Sequence, residues 1–168
     1  TTAVVKNIAT LVSPTVSIAG STVLCVGNVV PLIGSGATTY TWSTGAFTSS
    51  IMISPTVTTT YSLTGKNSNV CTKTATVLVT VNPLPILNVS TTNTLLCIGE
   101  TSTLSVLGAT SYTWSDNSNG TDIVVTPSVT TNYSIIGVDA NGCSNSSVFT
   151  QSVSLCTGIQ QVNANSNS

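Results

Sequence analysis

A chain of 168 residues with three lysines, no arginine, no histidine and four carboxylates has almost nothing with which to steer a charged partner or shuttle a proton near neutral pH. Nucleic acid is excluded as a partner, because Lys6, Lys66 and Lys73 cannot form the basic stripe that phosphate binding draws on. Acid–base catalysis is excluded on the same ground, since Glu100, Asp116, Asp122 and Asp139 form no repeated pair.

The chain opens on residues 1–13, whose apolar positions Ala3, Val4, Val5, Ile8, Leu11 and Val12 read as a spare strand ahead of the first domain. A lone strand does not stay folded, so it must pair with a sheet edge of its own domain, of a neighbouring molecule or of a preceding domain. It is a candidate inter-subunit strand. It lacks the basic start and unbroken apolar core of a signal peptide, so the chain reads as a mature product. No run approaches the roughly 18 apolar residues of a membrane-spanning helix.

The first domain is expected over 14–83. Its strands alternate with period two: Thr39-Tyr-Thr-Trp-Ser puts Tyr40 and Trp42 on one face and hydroxyls on the other, and Thr60-Tyr-Ser-Leu-Thr does the same around Tyr61. Turn signals at Ser43-Thr-Gly and Lys66-Asn-Ser-Asn separate the runs, and Thr74–Val81 closes the domain with β-branched residues. Pro83-Leu-Pro85 is a short extended linker.

An offset of 72 then lays the chain on itself: Cys25 on Cys97, Tyr40 on Tyr112, Trp42 on Trp114, Tyr61 on Tyr133 and Cys71 on Cys143. Only the first strand slips by one residue, Pro14-Thr-Val-Ser-Ile matching Pro85-Ile-Leu-Asn-Val. The second domain is expected over 84–156, followed by a polar tail over 157–168. No helix is expected. The fold class is all-β, two tandem immunoglobulin-like sandwiches of six or seven strands each, with the Trp and Tyr pairs in their cores.

Domains of about 70 residues bury little surface, so a covalent staple is expected in each. Several pairings of the cysteines are open. Equal spacing favours Cys25–Cys71 and Cys97–Cys143, each closing a loop of about 46 residues worth roughly 4 kcal/mol in the entropic model, against buried free thiols as the alternative. Cys156 is left over. Without a histidine base it is no catalytic nucleophile, which leaves an inter-chain bridge or a thiol without function.

The loop Asp116–Asp122 has the oxygen-rich look of a calcium site, but Pro127 stands where a bidentate Glu would be and the first repeat has no acid in its equivalent loop. Asp116 and Asp122 are thus a weak metal candidate beside an ordinary Asn/Gly turn. No cofactor is expected. Trp42 and Trp114 could stack on sugar, but their period-two placement favours the core.

Taken together, the string Cys-x-Gly, Tyr-Thr-Trp-Ser, Pro-x-Val-Thr-Thr-x-Tyr, Cys resembles the immunoglobulin-like or PKD-like repeats of secreted surface proteins of the Bacteroidetes, gliding adhesins among them. The resemblance covers residues 14–155. It implies export by the type IX system, an extracellular place at the cell surface, and structure or adhesion without a catalytic residue. Glu100 and Gln151, which replace Asn28 and Val79, make the last strand of the second domain look less regular. With weak charge repulsion and many sheet edges, the favoured function is a self-assembling subunit of a filament or sheath whose partners are its own copies. The alternative is a monomeric adhesin or glycan-binding module.

Overall fold

The computed structural model describes residues 12–156. The chain divides after Pro83 into two compact units with the same strand plan. In the first, β1 (Ser17–Gly20), β3 (Val30–Ser35) and β5 (Ser50–Ile53) form one sheet in the order β1-β3-β5. The facing sheet takes β2 (Val23–Cys25), β4 (Thr39–Trp42), β6 (Thr59–Lys66) and β7 (Thr72–Asn82) in the order β2-β7-β6-β4. The second unit repeats this with β8 (Asn88–Thr91), β10 (Ser102–Leu107) and β12 (Asp122–Val125) in one sheet. Its other sheet holds β9 (Leu95–Cys97), β11 (Ser111–Trp114), β13 (Thr131–Val138) and β14 (Ser144–Ser154) in the order β11-β13-β14-β9. There is no helix among the described residues. Two antiparallel-dominated sheets of three and four strands make each unit an immunoglobulin-like β-sandwich, the fold class expected.

The alternation read from the sequence builds the cores. Leu32, Trp42, Ile53, Tyr61, Leu63 and Val79 are buried in the first unit, and Leu104, Trp114, Val125, Ile135 and Tyr112 in the second. Each fully buried aliphatic side chain contributes about 1.5–3 kcal/mol. Each indole N–H is satisfied locally: Trp42 Nε1 donates to the Thr48 carbonyl at 2.9 Å and Trp114 Nε1 to the Gly120 carbonyl at 3.0 Å. The tyrosines of the same strands close a three-residue corner. Tyr112 Oη accepts from the Ala109 N–H at 2.7 Å and donates to the Ala109 carbonyl at 2.8 Å, and Tyr40 does the same with Ala37 at 3.2 and 3.0 Å. The residue before each corner is Gly36 or Gly108, at φ +87° and +111°, where a β-carbon would overlap the Thr15 or Ile86 carbonyl.

In each unit the chain switches sheets between its first two strands, so that β2 runs parallel to the last strand β7, and β9 to β14. The one-residue slip of the repeat falls here: two residues separate β1 from β2, three separate β8 from β9. The longer connection brings extra carbonyls into the interior, and Gln151 meets them where the first unit has Val79. Its amide donates to the Asn93 carbonyl at 2.9 Å and its Oε1 accepts from the Thr91 hydroxyl at 3.0 Å, while Ser102 Oγ joins the hydroxyls of Thr91 and Thr92. Gln151 is fully buried and no buried side-chain polar atom among the described residues lacks a partner. The last strand is no less regular for it, since β7 and β14 both run for 11 residues.

The cysteine pairing departs from expectation. Cys97 is bonded to Cys156, not to Cys143, and Cys71 is a free thiol, not bonded to Cys25. The reason is the length of the last strand. Cys25 lies opposite Asn82 at the end of β7, whereas Cys71 precedes its first residue. Eleven residues at about 3.3 Å each hold the two roughly 36 Å apart, against the 7 Å or less that a disulfide spans. Cys97 likewise pairs with Ser154, two residues before Cys156, and the Cα atoms of Cys97 and Cys156 are 5.3 Å apart. Cys156 is therefore not spare. Equal spacing of cysteines recorded the repeat, not a bond within it.

Candidate functional site

In the first unit two surfaces combine reactive or exposed chemistry: the turn that carries Cys71, and the uncharged sheet edges. The turn between β6 and β7 is built on Asn67. Its side-chain oxygen accepts the N–H of Asn69 at 3.1 Å and of Cys71 at 3.0 Å, and its amide donates to the Val12 carbonyl at 2.6 Å. Asp139 builds the equivalent turn of the second unit, accepting from Asn141 N–H at 2.8 Å and Cys143 N–H at 2.9 Å. Short Asx side chains favour this self-capping geometry. Both turns need one residue in the left-handed region. The second unit uses Gly142 at φ +77°, whereas the first forces Val70 to φ +68°, a position that a β-branched residue rarely adopts. Asn67 and Asn69 also line an open cleft of about 490 Å³ with Val12, Pro14, Gly36 and Ala37.

The oxidation states of the equivalent cysteines differ. Cys71 is a partly exposed thiol, while Cys143 is fully buried and disulfide-bonded. Cys25, at the far end of the first unit, is also disulfide-bonded.

Asp116 and Asp122 lie in and after the β11–β12 connection, and each is engaged with hydroxyl donors. Asp116 accepts the hydroxyl and then the N–H of Ser118, which hold its carboxyl below the usual value of 3.8. Asp122 accepts the hydroxyls of Ser105 and Thr121, with the same result. Among the described residues no group of three or more His, Cys, Asp or Glu side chains could hold a metal ion. Tyr133 is less buried than its twin Tyr61, and burial together with the nearby Asp116 charge raises its phenol above 10.0.

Of the candidate inter-subunit strand, Ala3, Val4, Val5, Ile8 and Leu11 lie outside the described residues, as does the tail over 157–168. Val12 is exposed beside the Asn67 turn. Sequence reading did not single out the Val70 turn or the buried Gln151 network. The first had a signal in the Val70/Gly142 mismatch of the repeat, the second in the slip between the first two strands.

On the outer face of β3 and β5, Ile33 and Met52 are exposed, with Pro31 opposite Met52 and Ala19 opposite Ile33. The same face of the second unit also exposes apolar side chains, Leu107 and Val124, among Ser90, Thr103, Ser105 and Asp122. No helix among the described residues is long and apolar enough to cross a membrane.

No protein-family model matches the chain, and no curated protein does. Solved structures that resemble it include arrays of immunoglobulin domains. Murine CEACAM1b is 14% identical with a TM-score of 0.39, over 83% of this chain and 100% of that one. A triple immunoglobulin segment of titin, I67–I69, is 12% identical with a TM-score of 0.41, over 85% and 66%. A segment of a 1.5-MDa bacterial ice-binding adhesin is 11% identical with a TM-score of 0.42, over 84% and 65%.

Proposed function

We propose that the chain is an extracellular structural protein, a subunit of a cell-surface filament or sheath whose copies join by β-strand addition. The observation that carries this reading is the state of the sheet edges. Four sheets present two edges each, and of these eight edge strands only β12, through Asp122, contains a charged residue. Natural sandwiches that remain monomeric guard such edges with lysine, proline or inward charges. Among the described residues β1, β2, β5, β8 and β9, each three or four residues long, carry none of these guards along their outer side. The apolar sequence over 1–12 has a length that suits addition to one of them as a strand. Disulfides favour an oxidising compartment outside the cytoplasm. The reading is non-enzymatic, the chain having no histidine and its Asp116 and Asp122 carboxylates being engaged by hydroxyls. Origin among the type IX secretion cargo of the Bacteroidetes belongs with it.

The test compares the full chain with a variant lacking residues 1–12, by sedimentation and electron microscopy. Filaments or a concentration-dependent size series from the full chain, lost on the deletion, are expected. A full chain that stays monomeric at all concentrations, unchanged by the deletion, overturns the reading.

One observation favours the second reading, a monomeric adhesin or glycan-binding module. Phe47, in the β4–β5 connection, is 77% exposed, an aromatic face available for stacking. A glycan array probed with the full chain, giving no signal that Phe47→Ala removes, eliminates it.

A further inference from the structure

The strand β7 is 11 residues long, and its neighbour β2 covers only the end of it, Val23–Cys25 pairing with Thr80–Asn82. On that side the Thr80 N–H is donated to the Thr22 carbonyl. Successive backbone groups of a strand alternate in direction, so Leu78, Thr76 and Thr74 turn their N–H and C=O groups the same way, while Val79, Val77 and Ala75 turn theirs to β6. Among the described residues no partner bonds these outward groups. Ahead of β2, the stretch Thr74–Leu78 is therefore itself the edge of the sheet. It holds no charge and no proline, Lys73 standing just outside its head, and it is longer than β1, β2 or β5.

The inner side of this edge is short of cover. Val16 and Ile18, on the β1 side, and Val77 of β7 pack on the core yet stay half-buried. A strand laid along Thr74–Leu78 would turn alternate side chains towards them. The second unit closes the equivalent place from within. Phe149 stands there for Val77 and Leu87 for Val16, both of them larger. Asn145, in the place of Lys73, accepts the outward N–H of Ser146 on its Oδ1 at 2.9 Å and donates its Nδ2 to the Pro85 carbonyl at 2.9 Å; Pro85 is buried where Pro14 is half-buried. One repeat fills by itself a gap that the other leaves, and the one that leaves it is preceded by the apolar residues of 1–11.

We propose that residues 1–11 of one copy add as a strand to Thr74–Leu78 of the first unit of a second copy. This names the acceptor edge for the polymer reading above and rests on that reading. The donor segment ends at Val12, whose carbonyl accepts from the Asn67 amide at the head of β7, and from there the chain runs past Gly36 into β1. To pair with β7 of its own copy it would have to reverse near Val12. Residues 8–16 hold no Gly, Asn or Asp, the residues that tight reversals use at positive φ, and Pro14 keeps Ser13 extended. Carried straight on, the segment leaves its own unit and meets a neighbour's, with length enough to span the acceptor edge.

Amide hydrogen exchange of the full chain, dilute and then assembled, tests this together with Thr76→Pro and Val148→Pro. Each proline removes an outward N–H and no rung between β6 and β7 or between β13 and β14, so both variants should stay folded by circular dichroism. The Thr74, Thr76 and Leu78 amides should exchange freely in the dilute chain and slow by about two orders of magnitude on assembly. Thr76→Pro should abolish assembly and Val148→Pro should leave it unchanged. Filaments in which these three amides still exchange freely overturn the proposal while leaving the polymer reading intact, as does assembly blocked by Val148→Pro and not by Thr76→Pro. Protection already complete in the dilute chain and independent of concentration means that the segment pairs within its own copy, which overturns it as well. A full chain that assembles at no concentration removes the proposal and the polymer reading together.

Discussion

Val70 and Gln151 are where the two copies of the repeat solve one problem differently. At Val70 the first unit keeps a β-branched side chain in a turn position that the second gives to Gly142. Left-handed backbone costs a β-branched residue about 1–2 kcal/mol, and Val70 is exposed and contributes no core contact to offset it. Val70→Gly should therefore raise the stability of the first unit by about 1 kcal/mol, part of the relief being lost to the entropy of the unfolded glycine; chemical denaturation measures it. Gln151→Ala should do the opposite in the second unit. It removes the bonds of the side-chain amide to the Asn93 and Thr94 carbonyls and to the Thr91 hydroxyl and leaves a void, for a loss of about 2–4 kcal/mol. Trp42, Trp114, Tyr61 and Tyr112 are buried, and Tyr40 and Tyr133 only partly, on strands whose period-two alternation is the geometry of one buried face. Gln151 was not legible in the sequence, because its role depends on a neighbouring connection that is one residue longer.

At the scale of elements, the parallel pair of second and last strands decides which cysteines can meet. Length along β14 is what separates Cys143 from Cys97, and a linear spacing of cysteines carries no information about it. The strands themselves are legible because turn signals and β-branched runs alternate so regularly; the switch of sheets between β1 and β2 is hidden, since both segments look like parts of one edge strand. Loss of the Cys97–Cys156 bond reopens a loop of 59 residues. Cys156→Ser should lower the stability of the second unit by up to about 4 kcal/mol in the entropic model, with no effect on the core of the first. Calorimetry should then resolve an earlier transition for the second unit.

For the whole molecule, scarcity of ionisable groups predicts an unusual insensitivity to pH. Asp116 and Asp122 have folded values below 3.8, so the stability their ionised forms supply is present above about pH 4 and is lost as the pH falls through the folded values. Tyr133, raised above 10.0, contributes stability that is present below pH 10 and lost as the pH climbs through its folded value. With no histidine in the chain, the melting temperature should be flat between about pH 5 and pH 9 and fall outside that range. A midpoint that moves by many degrees between pH 6 and pH 8 would contradict this. Function at this scale was the least legible part of the sequence, because edges become visible only once strand order is known.

The parallel pairing of β2 with β7 has a mechanical consequence. A pull on the two ends of the first unit slides these strands past each other, and loads together the bonds from Thr80 N–H to the Thr22 carbonyl and from Val26 N–H to the Asn82 carbonyl. The ladder resists by sharing tension across its rungs instead of opening one rung at a time. In the second unit the Cys97–Cys156 bond lies across the same clamp, so tension passes through sulfur and the chain between these two cysteines cannot be drawn out.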